Sequence, residues 1–186
     1  MLRRLNRLFS LKAFLQDKKG VSAIEFAMVA PLLIMAYLGL AELTLGMMAS
    51  RRTSHLAATI GDLAAQSETL SNANITDLWE IGTSMLQPFS TGTKLKMRLT
   101  CVTMNASNQA KVVWSKDNGK GLTAYAKDYN LTSVTTSQIS ANESLIVTEV
   151  EYDYDSPIGN FLPGETNFKD TFYHHPRNGA AVTGPS

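Results

Sequence analysis

The hydrophobic pattern of the chain changes period along its length. From Phe26 to Ala41 there is no charged residue, and across Val21 to Met48 only Glu25 and Glu42 interrupt a run of Ala, Leu, Ile, Met and Val. Sixteen uncharged residues make about 24 Å of helix, short of the roughly 30 Å hydrocarbon core of a bilayer, so a span must recruit residues beyond one or both glutamates. The pattern predicts a transmembrane helix over 21–48. Pro31 would kink an isolated helix, a defect that neighbouring helices in a membrane assembly absorb. Past Arg51 and Arg52, residues Leu56, Ile60, Leu63 and Leu70 keep near-helical spacing, which predicts a helical stalk over 49–70 with one face on a domain, weakened at Ser50 and Gly61. A second helix is expected from Thr76 to Leu86, with Leu78, Ile81 and Met85 on one stripe, Asn74 or Thr76 as cap and Pro88 as stop.

The period then falls to two. In Lys94 to Thr103, Leu95, Met97, Leu99 and Cys101 alternate with Lys94, Lys96, Arg98 and Thr100, a half-buried strand with a basic outer face. Val112 to Trp114 and Leu122 to Tyr125 flank Asn118-Gly119, which reads as a hairpin with a long loop. Ser144 to Tyr154 is the clearest strand: Ile146, Val150, Tyr152 and Tyr154 lie on one side, Glu149, Glu151, Asp153 and Asp155 on the other. The tail around Arg177-Asn178-Gly179 and Gly184-Pro185 is expected to fray. The fold class is therefore α+β: a long N-terminal transmembrane helix followed by a small domain of antiparallel sheet and packed helix. Residues 1–20 form a basic leader, 21–48 the span and 49–186 one exported domain, as the length of 186 residues allows.

Charge fixes the orientation. The first twenty residues hold Arg3, Arg4, Arg7, Lys12, Lys18 and Lys19 against Asp17, whereas only Arg51 and Arg52 follow the apolar run closely. The positive-inside rule then puts the N-terminus in the cytoplasm and the domain outside. A cleaved secretory signal peptide shares the basic start, but this apolar run is long, carries Glu25 and lacks an A-x-A site close behind it. A net charge of +1 gives no sign of a nucleic-acid partner. The single cysteine, Cys101, excludes an intramolecular disulfide and falls on the core side of its strand.

In Lys18-Lys19-Gly20-Val21-Ser22-Ala23-Ile24-Glu25-Phe26 a basic run and a glycine meet the apolar helix, with a glutamate five residues past the glycine. This stretch resembles the prepilin peptidase site of type IV pilins. With Ala30-Pro31-Leu32-Leu33 and Gly39-Leu40-Ala41-Glu42-Leu43 added, it most resembles the TadE-like family of tight-adherence pilus pseudopilins. The resemblance is strong over 18–45 and looser over Val147 to Asn178, where it rests on Tyr152, Pro157, Phe161 to Pro163 and Tyr173 to Arg177. It implies cleavage between Gly20 and Val21 by a prepilin peptidase, with Glu25 and Phe26 serving recognition and assembly. It further implies a pilin-like domain and residence in a bacterial inner membrane, with the domain periplasmic or the subunit carried into the pilus. The implied partners are other pilin-like subunits and the pilus assembly platform.

An ionisable group at the centre of a membrane costs at least about 2.5 kcal/mol and usually has a partner. For Glu25 that partner is either the new ammonium of Val21, on its own or a neighbouring subunit, or the cytoplasmic interface, reached by snorkelling. Glu42, 17 residues on and about 25 Å along a helix, is read as a solvated acid at the outer interface.

No phosphate loop, G-x-S-x-G, H-E-x-x-H or G-x-G-x-x-G occurs. Adjacent His174 and His175 diverge in either a helix or a strand, and carboxylates at every second strand position lack the loop geometry of a calcium site. No enzyme activity, cofactor or metal is expected. The leading reading is a minor pseudopilin in the assembly, initiation or anchoring of a Tad/Flp-type pilus, with opposite-charge strand faces and Gly39 and Gly46 available for docking. A membrane-tethered binding module unrelated to pili and an exported hydrolase with a dispersed site are its rivals.

Overall fold

The computed structural model describes residues 20–157, 159 and 166–185. Residues 1–19 of the 1–20 leader and Phe161 to Pro163 lie outside the described residues.

Span and stalk are one helix. Helix α1 runs unbroken from Val21 to Gln66, through Pro31, Ser50 and Gly61. A glycine inside a helix costs about 1 kcal/mol relative to alanine. That is small beside the burial gained by the stripe Glu42, Gly46, Ala49, Thr53, Leu56, Ile60 and Ala64, spaced three and four apart and entirely buried. Domain packing thus starts at Glu42, inside the segment read as membrane span. The helix ends at Gln66 rather than reaching Leu70, and Ser67 is extended.

Helix α2 spans Asn72–Met85 and begins ahead of the expected Thr76. Its cap is Ser71: the Asn74 amide donates to Ser71 Oγ while Asn74 Oδ1 accepts from the Ser71 amide, a reciprocal box that satisfies two otherwise orphaned donors.

Strands β1 (Leu95–Met104), β2 (Ala110–Asp117), β3 (Ser144–Tyr154) and β4 (Thr166–His174) form one antiparallel sheet in the order β2-β1-β3-β4. The hairpin partner of β2 is β1, not the segment 122–125, which is not a strand. The connection is Asn105 to Gln109, where Asn105 Oδ1 accepts the amides of Ser107 and Gln109 and Asn108 sits at φ 58°. Asn118-Gly119 instead terminates β2, with Asn118 bonding back to Leu95 and Met97.

Leu95, Met97, Leu99 and Cys101 of β1 and Ile146, Val150, Tyr152 and Tyr154 of β3 face the helices and form the main core. On the opposite face a smaller core of Val102, Met104, Val112, Leu131, Val134, Ile139, Leu145 and Val147 is roofed by the segment after β2. The tail does not fray. Val182 is buried, its carbonyl accepts from Trp114 Nε1 at 2.7 Å, Thr183 bridges Thr69, and the Arg177 amide donates to Ala65 O. The expectation failed because an isolated tail sequence carries no sign of the strand-and-helix seam it closes.

Candidate functional site

The residues with a predicted role fall on α1, in two separate places. Gly20 caps the helix N-terminus without a side-chain bond, and Val21 opens its first turn. Glu25 is exposed and Phe26 is 71% exposed. Val21 and Glu25 stand four apart, neighbours on one helix face, so an ammonium created at Val21 would lie within reach of the Glu25 carboxylate. From Val21 to Ala41 no residue is buried, and Ile24, Phe26, Met28, Leu32, Leu33, Ile34, Met35, Tyr37 and Leu40 all point outward. Those 21 residues make about 32 Å of helix, close to the roughly 30 Å of a bilayer's hydrocarbon core. α1 is long and apolar enough to cross a membrane, and the part that qualifies is not covered by its own domain.

Glu42 is not a solvated acid. It is fully buried, the first residue of the stripe that carries the sheet. Its spacing, four residues from Gly46 and seven from Ala49, puts it on the buried face of α1 under the domain base. Burial pushes the Tyr154 phenol up, and the nearby Glu42 carboxylate adds to that push. Glu25 therefore lies inside the uncovered segment and Glu42 just past its end, and the fold does not bring them together.

Three features at the junction of α1 and β4 escaped the sequence reading, because β4 itself was not anticipated. The strand runs alongside α1, and successive contacts climb both elements. At the domain base Leu43, Gly46, Met47, Ser50 and Arg51 of α1 and Thr166 and Phe168 of β4 line an apolar groove of ≈ 290 Å³. Higher up, Ser54 Oγ donates to Asp170 Oδ2 at 2.7 Å. At the top, Gly61 lets His174 and Thr148 approach the helix: a Cβ on Gly61 would lie 2.6 Å from Thr148 Oγ1 and nearer still to His174 Nδ1. Burial holds the His174 pKa below its usual value, against the pull of the Asp62 carboxylate. Arg177 in turn donates to Asp62 at 2.7 Å, which lowers the Asp62 pKa. The only sequence signal for this seam is the alternation of Phe168, Asp170, Phe172 and His174, which is too polar to stand out.

The opposite-charge strand faces meet each other. Arg98 grips Glu149 with two bonds of 2.7 Å, Lys96 pairs with Asp153 and Lys169 with Glu151 at 2.8 Å each, and Lys94 pairs with Asp155. The Lys96 ammonium holds the Asp153 carboxyl below the usual range. These carboxylates thus have protein cations where a calcium ion would need them free. Among the described residues no group of three or more His, Cys, Asp or Glu is placed to hold a metal. Burial pushes the Cys101 thiol up to about 12, so it is neutral and serves as core.

The class these features define is an α+β domain carried on one long helix that is able to cross a membrane and whose first half is uncovered. Residues 20–61 match the model of the TadE-like protein family. The matched segment is α1 from its cap to Gly61, and it agrees with the resemblance carried by Gly20 to Leu43. No curated protein and no solved structure gives a significant match.

Proposed function

We propose that the chain is a minor pseudopilin that takes part in the assembly, initiation or anchoring of a Tad/Flp-type pilus, without catalytic activity of its own. The supporting observation is the family match over 20–61 falling on a helix that is apolar and uncovered from Val21 to Ala41. In this reading a prepilin peptidase cuts after Gly20, leaving Val21 as the first residue. The N-terminus lies in the cytoplasm of a bacterial cell, the helix crosses the inner membrane and the domain is periplasmic. Glu25 then sits about one turn inside the membrane, where a bare carboxylate is costly and the Val21 ammonium, of the same or a neighbouring subunit, offsets its charge. The uncovered helix is also the surface through which other pilin-like subunits and the assembly platform are met, because packing between apolar helices is the contact a bilayer permits.

The test is the N-terminus of the membrane-extracted protein, determined by mass spectrometry in cells with and without the peptidase. A peptidase-dependent start at Val21 is expected. An intact Met1 in both strains would overturn the processing step and favour a tethered binding module, and a cut beyond Met48 would make the protein a secreted one.

A further inference from the structure

The groove at the foot of the domain lies where a membrane-spanning chain meets the outer headgroups. With Val21 set at the inner headgroups, Arg51, 30 residues on and about 45 Å along the helix, reaches the outer headgroups of a bilayer roughly 40–45 Å thick, and the hydrocarbon core then covers roughly residues 26–46. Leu43, Gly46 and Met47 lie one to two turns below it, and Phe168 closes the groove from β4. Among the described residues its lower end, at Leu43, adjoins the uncovered apolar face of α1, the side from which a chain in the outer leaflet would enter. Its upper rim carries the Ser50 hydroxyl and the Arg51 guanidinium. The two arginines of the pair differ in role. Arg52 donates to the carbonyls of Met85 and Gln87 and ties α1 to the end of α2, whereas Arg51 is exposed and pairs with no carboxylate among the described residues.

From this juxtaposition of apolar groove and unpaired cation we infer that the α1–β4 groove binds one phospholipid of the outer leaflet, its acyl chain between Met47 and Phe168 and its phosphate on Arg51. The inference rests on the membrane-spanning reading of α1. A bound lipid would seat the domain directly on the bilayer at a fixed rotation, because α1 and the sheet are packed together from Glu42 upward. The guanidinium suits a phosphate, which it meets with two parallel bonds, and an anionic headgroup is favoured by its charge.

The experiment uses the full chain reconstituted in vesicles of phosphatidylethanolamine and phosphatidylglycerol, the latter carrying a photoactivatable diazirine on one acyl chain. Adducts are mapped by peptide mass spectrometry. Labelling of Phe168 and Met47 is expected to exceed that of Met48, which lies at the same depth but outside the groove. Arg51→Gln should lower the Phe168 adduct roughly fivefold, the equivalent of one basic side chain at a membrane surface, while adducts within 26–41 stay constant. If 26–41 is labelled and Phe168 is not, the groove holds something else, such as a second copy, and the inference fails while the span stands. Equal labelling of Met47 and Met48 means general lipid contact and overturns it as well. Absence of label from 26–41 would remove the membrane reading and this inference together.

Discussion

Gly61→Ala is the substitution that best tests how the helix is joined to the sheet. Alanine is the better helix former by about 1 kcal/mol, so on propensity alone the change would stabilise α1. The structure predicts the opposite. The added methyl would meet Thr148 Oγ1 at 2.6 Å and His174 Nδ1 closer still, on two adjacent, hydrogen-bonded strands. Neither neighbour is the free end of a long flexible chain, so relief requires the helix to lift from β3 and β4. Overpacking of this kind costs about 1–3 kcal/mol, and subtracting the propensity gain leaves a net loss of about 0–2 kcal/mol. The assay is urea unfolding of the full chain in detergent micelles, followed by tryptophan fluorescence. Trp79 and Trp114 both lie in the domain, so the signal reports the domain and not the micelle-bound segment. In a Thr148→Ala/His174→Ala background the steric cost disappears and Gly61→Ala should become stabilising by about 1 kcal/mol. If Gly61→Ala has the same effect, of either sign, in both backgrounds, the close approach at the seam is not what governs this position.

Other outcomes follow from the same geometry. His174 has a folded pKa below the 6.5 of an unperturbed histidine, so below about pH 6.5 the unfolded state binds more protons and domain stability falls until the folded pKa is reached. His174→Gln should flatten that decline in urea midpoints between pH 7 and pH 5, and an unchanged pH profile would refute it. Stability lost below about pH 4 belongs instead to Asp62 and Asp153, whose carboxyls are held below 3.8 by Arg177 and Lys96. Arg98→Lys keeps the charge but loses the double grip on Glu149 and the bonds to Thr123 O and Tyr125 Oη, and should cost about 1–3 kcal/mol of domain stability. Exchanging partners, Glu151→Lys with Lys169→Glu, keeps that pair but sets a lysine opposite Lys96, and should cost no more than about 1 kcal/mol. Pilus output unchanged by that swap would exclude this face as a partner contact, and its loss would restore the strand charges as a docking surface. Glu25→Ala is expected to abolish pilus production at an unchanged protein level, and normal piliation would remove the assembly role assigned to Glu25.

Much of the fold was legible because its strongest signals are local. The run from Val21 to Met48 has helical length and apolarity, and Ser144 to Tyr154 alternates so regularly that both strand ends were placed at their observed residues. What escaped depends on contacts far apart in sequence. β4 carries Asp170 and His174 on its helix side, tolerated only because Ser54 and the bare Gly61 stand opposite; read alone, those residues spoil the apolar alternation. The hairpin was misplaced because Asn118-Gly119 is the more familiar turn signal. The turn between β1 and β2 uses the Asn105 side chain and a left-handed Asn108, a chemistry the sequence Asn-Ala-Ser-Asn does permit. At the site, Gly20, Val21, Glu25 and Phe26 stand out only through the resemblance to a prepilin peptidase site, whereas the burial of Glu42 requires knowing which face of α1 the sheet covers.

That burial bears on how such a chain divides its labour. The charged residues of the sheet largely neutralise one another across β1, β3 and β4, so the domain's exposed face is less a source of field than its composition suggests. The large apolar side chains left outward are concentrated on α1 between Val21 and Met48. One continuous helix links that surface to the core, and nothing between Ala41 and Glu42 marks a hinge: the stripe that seats the domain begins at the next residue. A rotation imposed on the uncovered half by a neighbouring helix is therefore passed to the sheet rather than absorbed by a linker. The domain's orientation on the membrane is then set by whatever the uncovered half packs against and by contacts at its foot, which makes the α1–β4 groove and the Gly61 seam the two places where that rigidity is open to measurement.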